Sequence, residues 1–203
     1  MKILITLMIA FALMLFIFSP SSAQVAGEKQ LNARIISDGQ ILVGANSTSS
    51  QAGPYFGGSI GYGIGYGVTL YVESGYGWTN YHSVDGLRLV QVPVLGGLTY
   101  NFGDLWKSSN FQPYVGASAG VFNYLLQQNW NTITVNGSEQ KTTNFGVEGT
   151  AGINYLIPNS NVGIDIRAKF DHVFSNRDNG NALEQQEWSN VGIGGGVSYY
   201  FSL

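Results

Sequence analysis

The stretch Gly196-Val-Ser-Tyr-Tyr-Phe-Ser-Leu203 decides the fold class. Its apolar and aromatic residues recur at every second position, so Val197, Tyr199, Phe201 and Leu203 share one face of an extended chain. A period of two predicts a β-strand, here with one wholly apolar face. In an open sheet such a strand would be an adhesive edge, because its unpaired backbone groups invite further pairing. A closed barrel whose apolar face meets a bilayer removes both problems.

The composition also favours a sheet with one face in lipid. Charged residues make up 10% of the 203 residues, compared with about 25% in soluble domains. Glycines number 28, and no stretch after residue 23 is apolar for the length of a membrane helix. The net charge of −3, without a basic cluster, argues against nucleic acid as a partner. The chain has no cysteine and therefore no disulfide.

The amino terminus has the features of an export signal. Lys2 precedes an uncharged apolar run, and the small residues Ser21 and Ala23 follow it. This order predicts a secretory signal peptide over residues 1–23 that is removed after Ala23.

Eight alternating segments are expected after the leader. Residues 24–39 show no clear period and are expected to form a periplasmic lead-in, which places the barrel at 40–203. The clearest alternation is at 162–171, where charged residues alternate with apolar ones. Pro93 interrupts another strand and predicts a bulge or an unpaired carbonyl on the neighbouring strand.

The connections between these segments alternate in length. The short ones lie near 65–67, 103–110 and 158–161, and the longer ones near 47–54, 79–87, 124–144 and 175–188. This pattern predicts an all-β protein, an eight-stranded antiparallel up-and-down transmembrane β-barrel with short periplasmic turns and longer extracellular loops. A soluble lipocalin-like barrel, the main alternative, would expose charge outward and carry more lysine and glutamate.

Two stretches carry a resemblance to a known family. They read Leu89-Val-Gln-Val-Pro-Val-Leu-Gly-Gly-Leu-Thr-Tyr-Asn-Phe102 and Gln112-Pro-Tyr-Val-Gly-Ala-Ser-Ala-Gly120. They are similar to the aliphatic-Pro-aliphatic, Tyr-x-Phe and Lys-Pro-Tyr-x-x-x-Gly run of the small outer-membrane β-barrel domain proteins of Gram-negative bacteria. The resemblance implies the outer membrane of a Gram-negative bacterium as the location. It also implies outer-membrane lipid, periplasmic chaperones and the barrel-assembly machinery as partners.

The same resemblance suggests a role for the carboxyl terminus. In such proteins the last strand carries a signal that the assembly machinery reads, and leucine stands here in place of the usual terminal phenylalanine. The matching residues are Gly196, Tyr199, Phe201 and Leu203.

The inward face of the predicted barrel carries most of the charge. An eight-stranded barrel is just wide enough for side chains to fill it. Buried charges without partners cost several kcal/mol each, so we expect a paired polar network in the lumen. Its expected members are Glu73, Gln91, Glu148, Asp165, Arg167, Lys169 and Asp171. The hairpin register predicts an ion pair between Glu148 and Lys169. A small gated ion path is the alternative use of this network.

An enzymatic alternative depends on His172. The run His172-Val-Phe-Ser-Asn176 is similar to the His-x-Ser-Asn of the outer-membrane lipid A deacylases, which use a His/Ser/Glu triad. Here the triad would be His172, Ser175 and a loop glutamate, Glu184 or Glu187. One extra residue places His172 and Ser175 on opposite strand faces, whereas a base must reach its nucleophile within about 3 Å. We therefore expect no catalytic residue, and no motif indicates a metal or a cofactor.

The sequence therefore predicts a non-catalytic outer-membrane barrel with a structural or adhesion-type surface role. An extracellular ligand would bind through the loops at 124–144 and 175–188. Trp130 and Trp188 lie in these loops and are expected either to anchor contacts or to end an aromatic girdle.

Overall fold

The computed structural model describes residues 29–43, 51–81, 84–102, 110–135, 137–174 and 187–202. The predicted signal peptide at 1–23 lies outside these ranges. No helix within them is long and apolar enough to cross a membrane. The strands in chain order are β1 (Gln30–Val43), β2 (Gly53–Gly65), β3 (Val68–Asn80), β4 (Leu87–Asn101), β5 (Phe111–Gln128), β6 (Asn131–Thr132), β7 (Thr134–Val135), β8 (Ser138–Glu139), β9 (Lys141–Leu156), β10 (Val162–Val173) and β11 (Trp188–Ser202).

Eight of these strands form a closed antiparallel barrel. They are β1 to β5 and β9 to β11; β5 pairs with β9, and β11 pairs with β1 to close the ring. Following paired residues once around the barrel from Ala33 leads back to β1 at Val43, a stagger of ten residues. With normal strand spacings this stagger corresponds to a strand tilt of about 40°, typical of barrels. The predicted fold class is confirmed.

The two ends of the barrel differ. At the turn end, β2 and β3 are joined by Tyr66 and Gly67, whose φ angles of 53° and 76° define a tight hairpin turn. The β9–β10 turn and the described chain ends, Gln30 and Ser202, lie at the same end. The strand ends joined by the β1–β2, β3–β4, β5–β9 and β10–β11 connections lie at the opposite, loop end.

Successive side chains alternate between the outside and the lumen. In β10, Ile164, Ile166 and Phe170 are 47%, 66% and 48% exposed. The intervening charged side chains are buried in the lumen: Asp165, Arg167, Lys169 and Asp171. The faces predicted for this strand are therefore confirmed.

The start of the barrel differs from the prediction. Residues 30–39, expected in the lead-in, form most of β1, so the boundary at residue 40 is wrong. The outward face of this strand includes Ser37 and Gly39, and Ile36 points inward, which hides the period of two in the sequence. Pairing with β2 and β11 on both sides fixes the strand instead.

The stretch 124–144 is mostly strand rather than loop. β5 continues to Gln128 and β9 begins at Lys141, because the two strands stay paired up to Leu125 and Lys141. Polar residues lie on both faces of this part of β9, so no alternation shows in the sequence. Between the two strands, β6 folds back on β5, and β7 pairs with β8.

Pro93 lies within β4, where the predicted bulge is absent from the described pairing. The register with β5 is continuous, and pairing with β3 is interrupted opposite Pro93, between Ser74 and Gly77, without a shift. The Ser74 hydroxyl donates to the Pro93 carbonyl at 2.9 Å, and the Asn123 amide donates to the Val92 carbonyl at 3.1 Å. These side chains satisfy two carbonyls of β4 beside the interrupted pairing, but they do not supply the N–H donor that Pro93 lacks.

Candidate functional site in the barrel lumen

The lumen near the turn end is polar and nearly full. Its free volume is about 30 Å³, enough for a few water molecules at most. Arg34 on β1 lies 3.8 Å from the Asp165 carboxylate and donates hydrogen bonds to Ser198 at 3.1 Å and Tyr114 at 3.4 Å. The Tyr114 hydroxyl donates to Asp165 at 3.2 Å, so the four groups form one network.

Arg167 crosses the middle of the lumen. It belongs to β10, which lies opposite β3 in the ring. Its guanidinium contacts Asp38 on β1 at 2.7 Å and Glu73 on β3 at 2.9 Å, and it makes two bonds to each carboxylate. Bidentate bonds to carboxylates are among the strongest that side chains make. The Tyr55 hydroxyl also donates to Glu73, at 3.2 Å.

Lys169 is shared between two carboxylates. Its Nζ lies 3.5 Å from Glu148 and 3.4 Å from Asp171, and 4.1 Å from the centre of the Tyr55 ring. The ion pair expected between Glu148 and Lys169 is therefore present. A Cβ on Gly192, which pairs with Lys169, would lie 3.0 Å from the lysine Cγ, so this glycine leaves room for the long side chain.

The seven residues of the predicted network all lie on the lumen face and are buried. Gln91 is in a separate chain of amides, because it accepts from Asn190 at 3.1 Å and donates to Gln40 at 3.3 Å. Sequence reasoning missed Arg34 and Asp38, which lie in the expected lead-in. Their spacing of four residues places both charges on one strand face, and this spacing was the available signal.

The lumen near the loop end is mostly apolar, although Thr79, Thr142 and Asn144 are also buried on its inward face. A cluster of buried side chains fills it, which we call the plug: Leu42, Leu89, Leu95, Phe122, Tyr124, Val173 and Trp188. The rings of Tyr124 and Trp188 are 5.7 Å apart, and Phe122 stacks on Tyr124 at 6.4 Å. Trp188 is 2% exposed, so its predicted place as a contact anchor or in a girdle is wrong. Trp188 lies two residues before Asn190 on β11, so both side chains point into the lumen. The sequence already contained this spacing as a signal.

Trp130 remains on the outer surface, where it is 68% exposed. Asn129 and Trp130 form the turn into β6, with φ angles of 49° and 73°. The turn places the indole over the Arg88 guanidinium at 3.2 Å and near the Trp78 ring at 6.2 Å. Cation–π stacking of this kind stabilises the turn.

His172 lies on the outer face near the loop end. Its Nδ1 is 3.0 Å from the Ser189 hydroxyl, and its ring meets Phe174 edge-on at 4.8 Å. Ser175 and Glu184 lie outside the described residues, and Glu187 is exposed. In the described ranges, no group of three or more His, Cys, Asp or Glu residues could hold a metal ion.

The proposed assembly signal lies at the turn end of β11. Tyr199 and Phe201 share the outer face, with their rings edge-on at 4.8 Å, whereas Gly196 pairs with Ile36 on the lumen face. Leu203 lies outside the described residues. Recognition of this signal stays a prediction.

Comparisons with known proteins agree with this architecture. The family model described as "Outer membrane protein beta-barrel domain" matches residues 9–201. No curated protein sequence gives a significant match. Solved structures of other small barrels are similar in fold. Neisserial surface protein A is 16% identical, with a TM-score of 0.62, over 90% of this chain and 100% of that chain.

Two further structures show the same likeness. Ail, the attachment invasion locus protein of Yersinia pestis, is 11% identical with a TM-score of 0.54, over 86% of this chain and 99% of that one. Outer Membrane Protein W of E. coli is 18% identical with a TM-score of 0.53, over 87% and 100%. At these identities the likeness concerns the fold alone.

Proposed function

Since the chain belongs to the outer membrane protein β-barrel domain family, we propose that it is a closed barrel of the Gram-negative outer membrane with a structural or adhesion-type surface role. On this proposal it is neither a channel nor an enzyme. The turn end faces the periplasm, and the loop end is extracellular.

The observation that carries the proposal is the double closure of the lumen. The ion pairs of Arg167 and Lys169 fill its middle, and the plug fills the loop end. Apolar side chains in close contact exclude water, and the paired charges of Arg167 and Lys169 occupy the middle of the lumen. This arrangement of the described side chains supports a barrel without a continuous polar path, and it favours a role at the surface.

The loop end is the surface available for such a role. β5 and β9 are the longest strands, with 18 and 16 residues, and their hairpin carries β6 to β8. Trp130 and Val135 in this hairpin are 68% and 49% exposed. Exposed aromatic and aliphatic side chains on a rigid support are suited to protein contacts. Ail, a protein of the same fold, is named for attachment and invasion.

An adhesion assay tests this role. Bacteria that display the barrel should bind to epithelial cells, and replacing residues 129–140 with an Asn-Gly turn should abolish the binding. The matched control replaces Tyr66 with asparagine in the opposite, periplasmic turn, where the φ of 53° suits asparagine. This control should keep full adhesion. Equal adhesion by the loop variant and the wild type would contradict a role of this loop in adhesion.

A further inference from the structure

The Asp171 carboxylate is incompletely satisfied inside the lumen. Asp171 has 0% exposure, and neither carboxylate oxygen accepts a hydrogen bond from any described residue. Its ionic contact is with Lys169 at 3.4 Å, and that ammonium is also 3.5 Å from Glu148. One cation therefore serves two carboxylates.

Two more oxygen atoms beside Asp171 also lack a hydrogen-bond partner among the described residues. Asn190 pairs directly with Asp171 across β10 and β11. Its Nδ2 donates to Gln91, whereas its Oδ1 has no partner in the described part of the chain. The Tyr124 hydroxyl interacts electrostatically with Asp171 and with the Asn190 side chain, although it has no hydrogen bond of normal geometry to a described residue. Asn190 and Tyr124 are both 0% exposed.

The charge balance of the lumen indicates which kind of ligand these oxygens bind. The described lumen side chains include three cationic groups: Arg34, Arg167 and Lys169. They include five carboxylates: Asp38, Glu73, Glu148, Asp165 and Asp171. With both of its carboxylates ionised, the group around Lys169 would carry one negative charge in excess. An uncompensated buried charge costs several kcal/mol, so a positive species is needed there.

We propose that Asp171, Asn190 and Tyr124 bind a monovalent alkali cation in the lumen, just below the plug. Carboxylate, amide and hydroxyl oxygens are ligands of hard cations. A water molecule would satisfy the acceptors but would leave the negative charge. A divalent ion would need more carboxylates than the described residues provide here. The cation completes the ion-pair layer and holds β5, β10 and β11 together.

Crystals of the refolded protein grown in rubidium chloride test the site, because Rb⁺ scatters anomalously. We expect an anomalous peak between the Asp171 carboxylate and Asn190 Oδ1. Asp171→Asn should remove the peak, and Asn190→Ala, which leaves every charge in place, should weaken it. The control Asp165→Asn changes a lumen carboxylate beside Arg34 and should keep the peak.

A solution measurement separates the cation from a proton. The urea midpoint should be higher in rubidium chloride than in tetramethylammonium chloride at equal ionic strength, because the larger ion does not fit. Asp171→Asn should abolish the difference. No peak at Asp171, or equal midpoints for the wild type in both salts, overturns the proposal. A midpoint that depends on pH and not on the cation assigns a proton to the site and overturns it as well.

Discussion

Arg167 shows how single residues keep charge inside this barrel. Its guanidinium is 3% exposed or less, and it bonds to carboxylates on two other strands, one of them on the opposite wall. Neither carboxylate has another cation within ion-pair distance in the described structure. The three groups are therefore stable only together.

Removing this cation should destabilise the barrel strongly. Arg167→Met keeps the bulk but leaves Asp38 and Glu73 buried without their partner, and we expect a loss of about 3–5 kcal/mol. Urea unfolding of the protein in lipid vesicles measures it. Lys141→Met is the control, because the exposed Lys141–Glu139 pair at 2.9 Å contributes about 1 kcal/mol or less. Equal losses in the two variants would contradict a buried, paired Arg167.

The two tryptophans flanking the loop-end connections should differ in the same measurement. Trp188→Ala removes a ring from the plug and should cost about 3–5 kcal/mol, since the space left is surrounded by packed side chains. Trp130→Ala removes an exposed ring stacked on Arg88 and should cost about 1 kcal/mol or less. A larger loss of stability for Trp130→Ala than for Trp188→Ala would contradict the buried position of Trp188.

The enzymatic alternative uses His172 and Ser175; Ser175 lies outside the described residues, and Ser189 is the hydroxyl that lies beside His172. Their bond of 3.0 Å joins a potential base to a potential nucleophile on the outer face, but no described carboxylate bonds to the histidine. We expect His172→Ala and Ser189→Ala to leave the lipid A acylation pattern unchanged in mass spectra. If lipid A loses an acyl chain in the presence of the wild type but not of either variant, the result would support the hydrolase alternative.

At the scale of elements, the period of two fixes the orientation of those strands that display it. β10 shows this most clearly, because shifting its register by one residue would move every lumen charge to the outer face. β5 and β9 show the other limit. The loop-end part of β9 is polar on both faces, and its pairing with β5, rather than a sequence pattern, extends the hairpin beyond residue 124.

A charge on the outer face should be costly in proportion to its depth. Ile166→Arg in the middle of β10 should lower stability by about 2–4 kcal/mol in a bilayer. Ile64→Arg, at the turn end of β2, should cost about 1 kcal/mol or less because it lies near the interface. Unfolding in vesicles of defined lipid measures both. Similar small costs at the two positions would contradict a lipid-facing Ile166.

At the scale of the whole molecule, the described side chains occupy the lumen at two levels in series, first the ion pairs and then the plug. Opening one closure leaves the other in place. We therefore expect no steady conductance for the wild type in planar bilayers, and only rare openings for Lys169→Met or Trp188→Ala. The double variant should conduct much more than the two single variants combined. A large, stable conductance of the wild type would point to transport instead.

The sequence by itself determined the fold class, the number of strands in the barrel and the faces of β10. These follow from alternation, which is a local property that most of the strands display without their neighbours. The ion pair of Glu148 and Lys169 was also within reach, because the β9–β10 turn fixes the register of that hairpin.

Only the tertiary structure decided which charges meet across the lumen and where the barrel starts. Arg167 finds Asp38 and Glu73 because ring closure and strand stagger bring β10, β1 and β3 to one level. The plug has the same origin. Leu42, Phe122 and Trp188 lie far apart in the chain, and the closed barrel brings them together near its loop end. Such contacts depend on the sum of all strand registers, and no single segment contains that information.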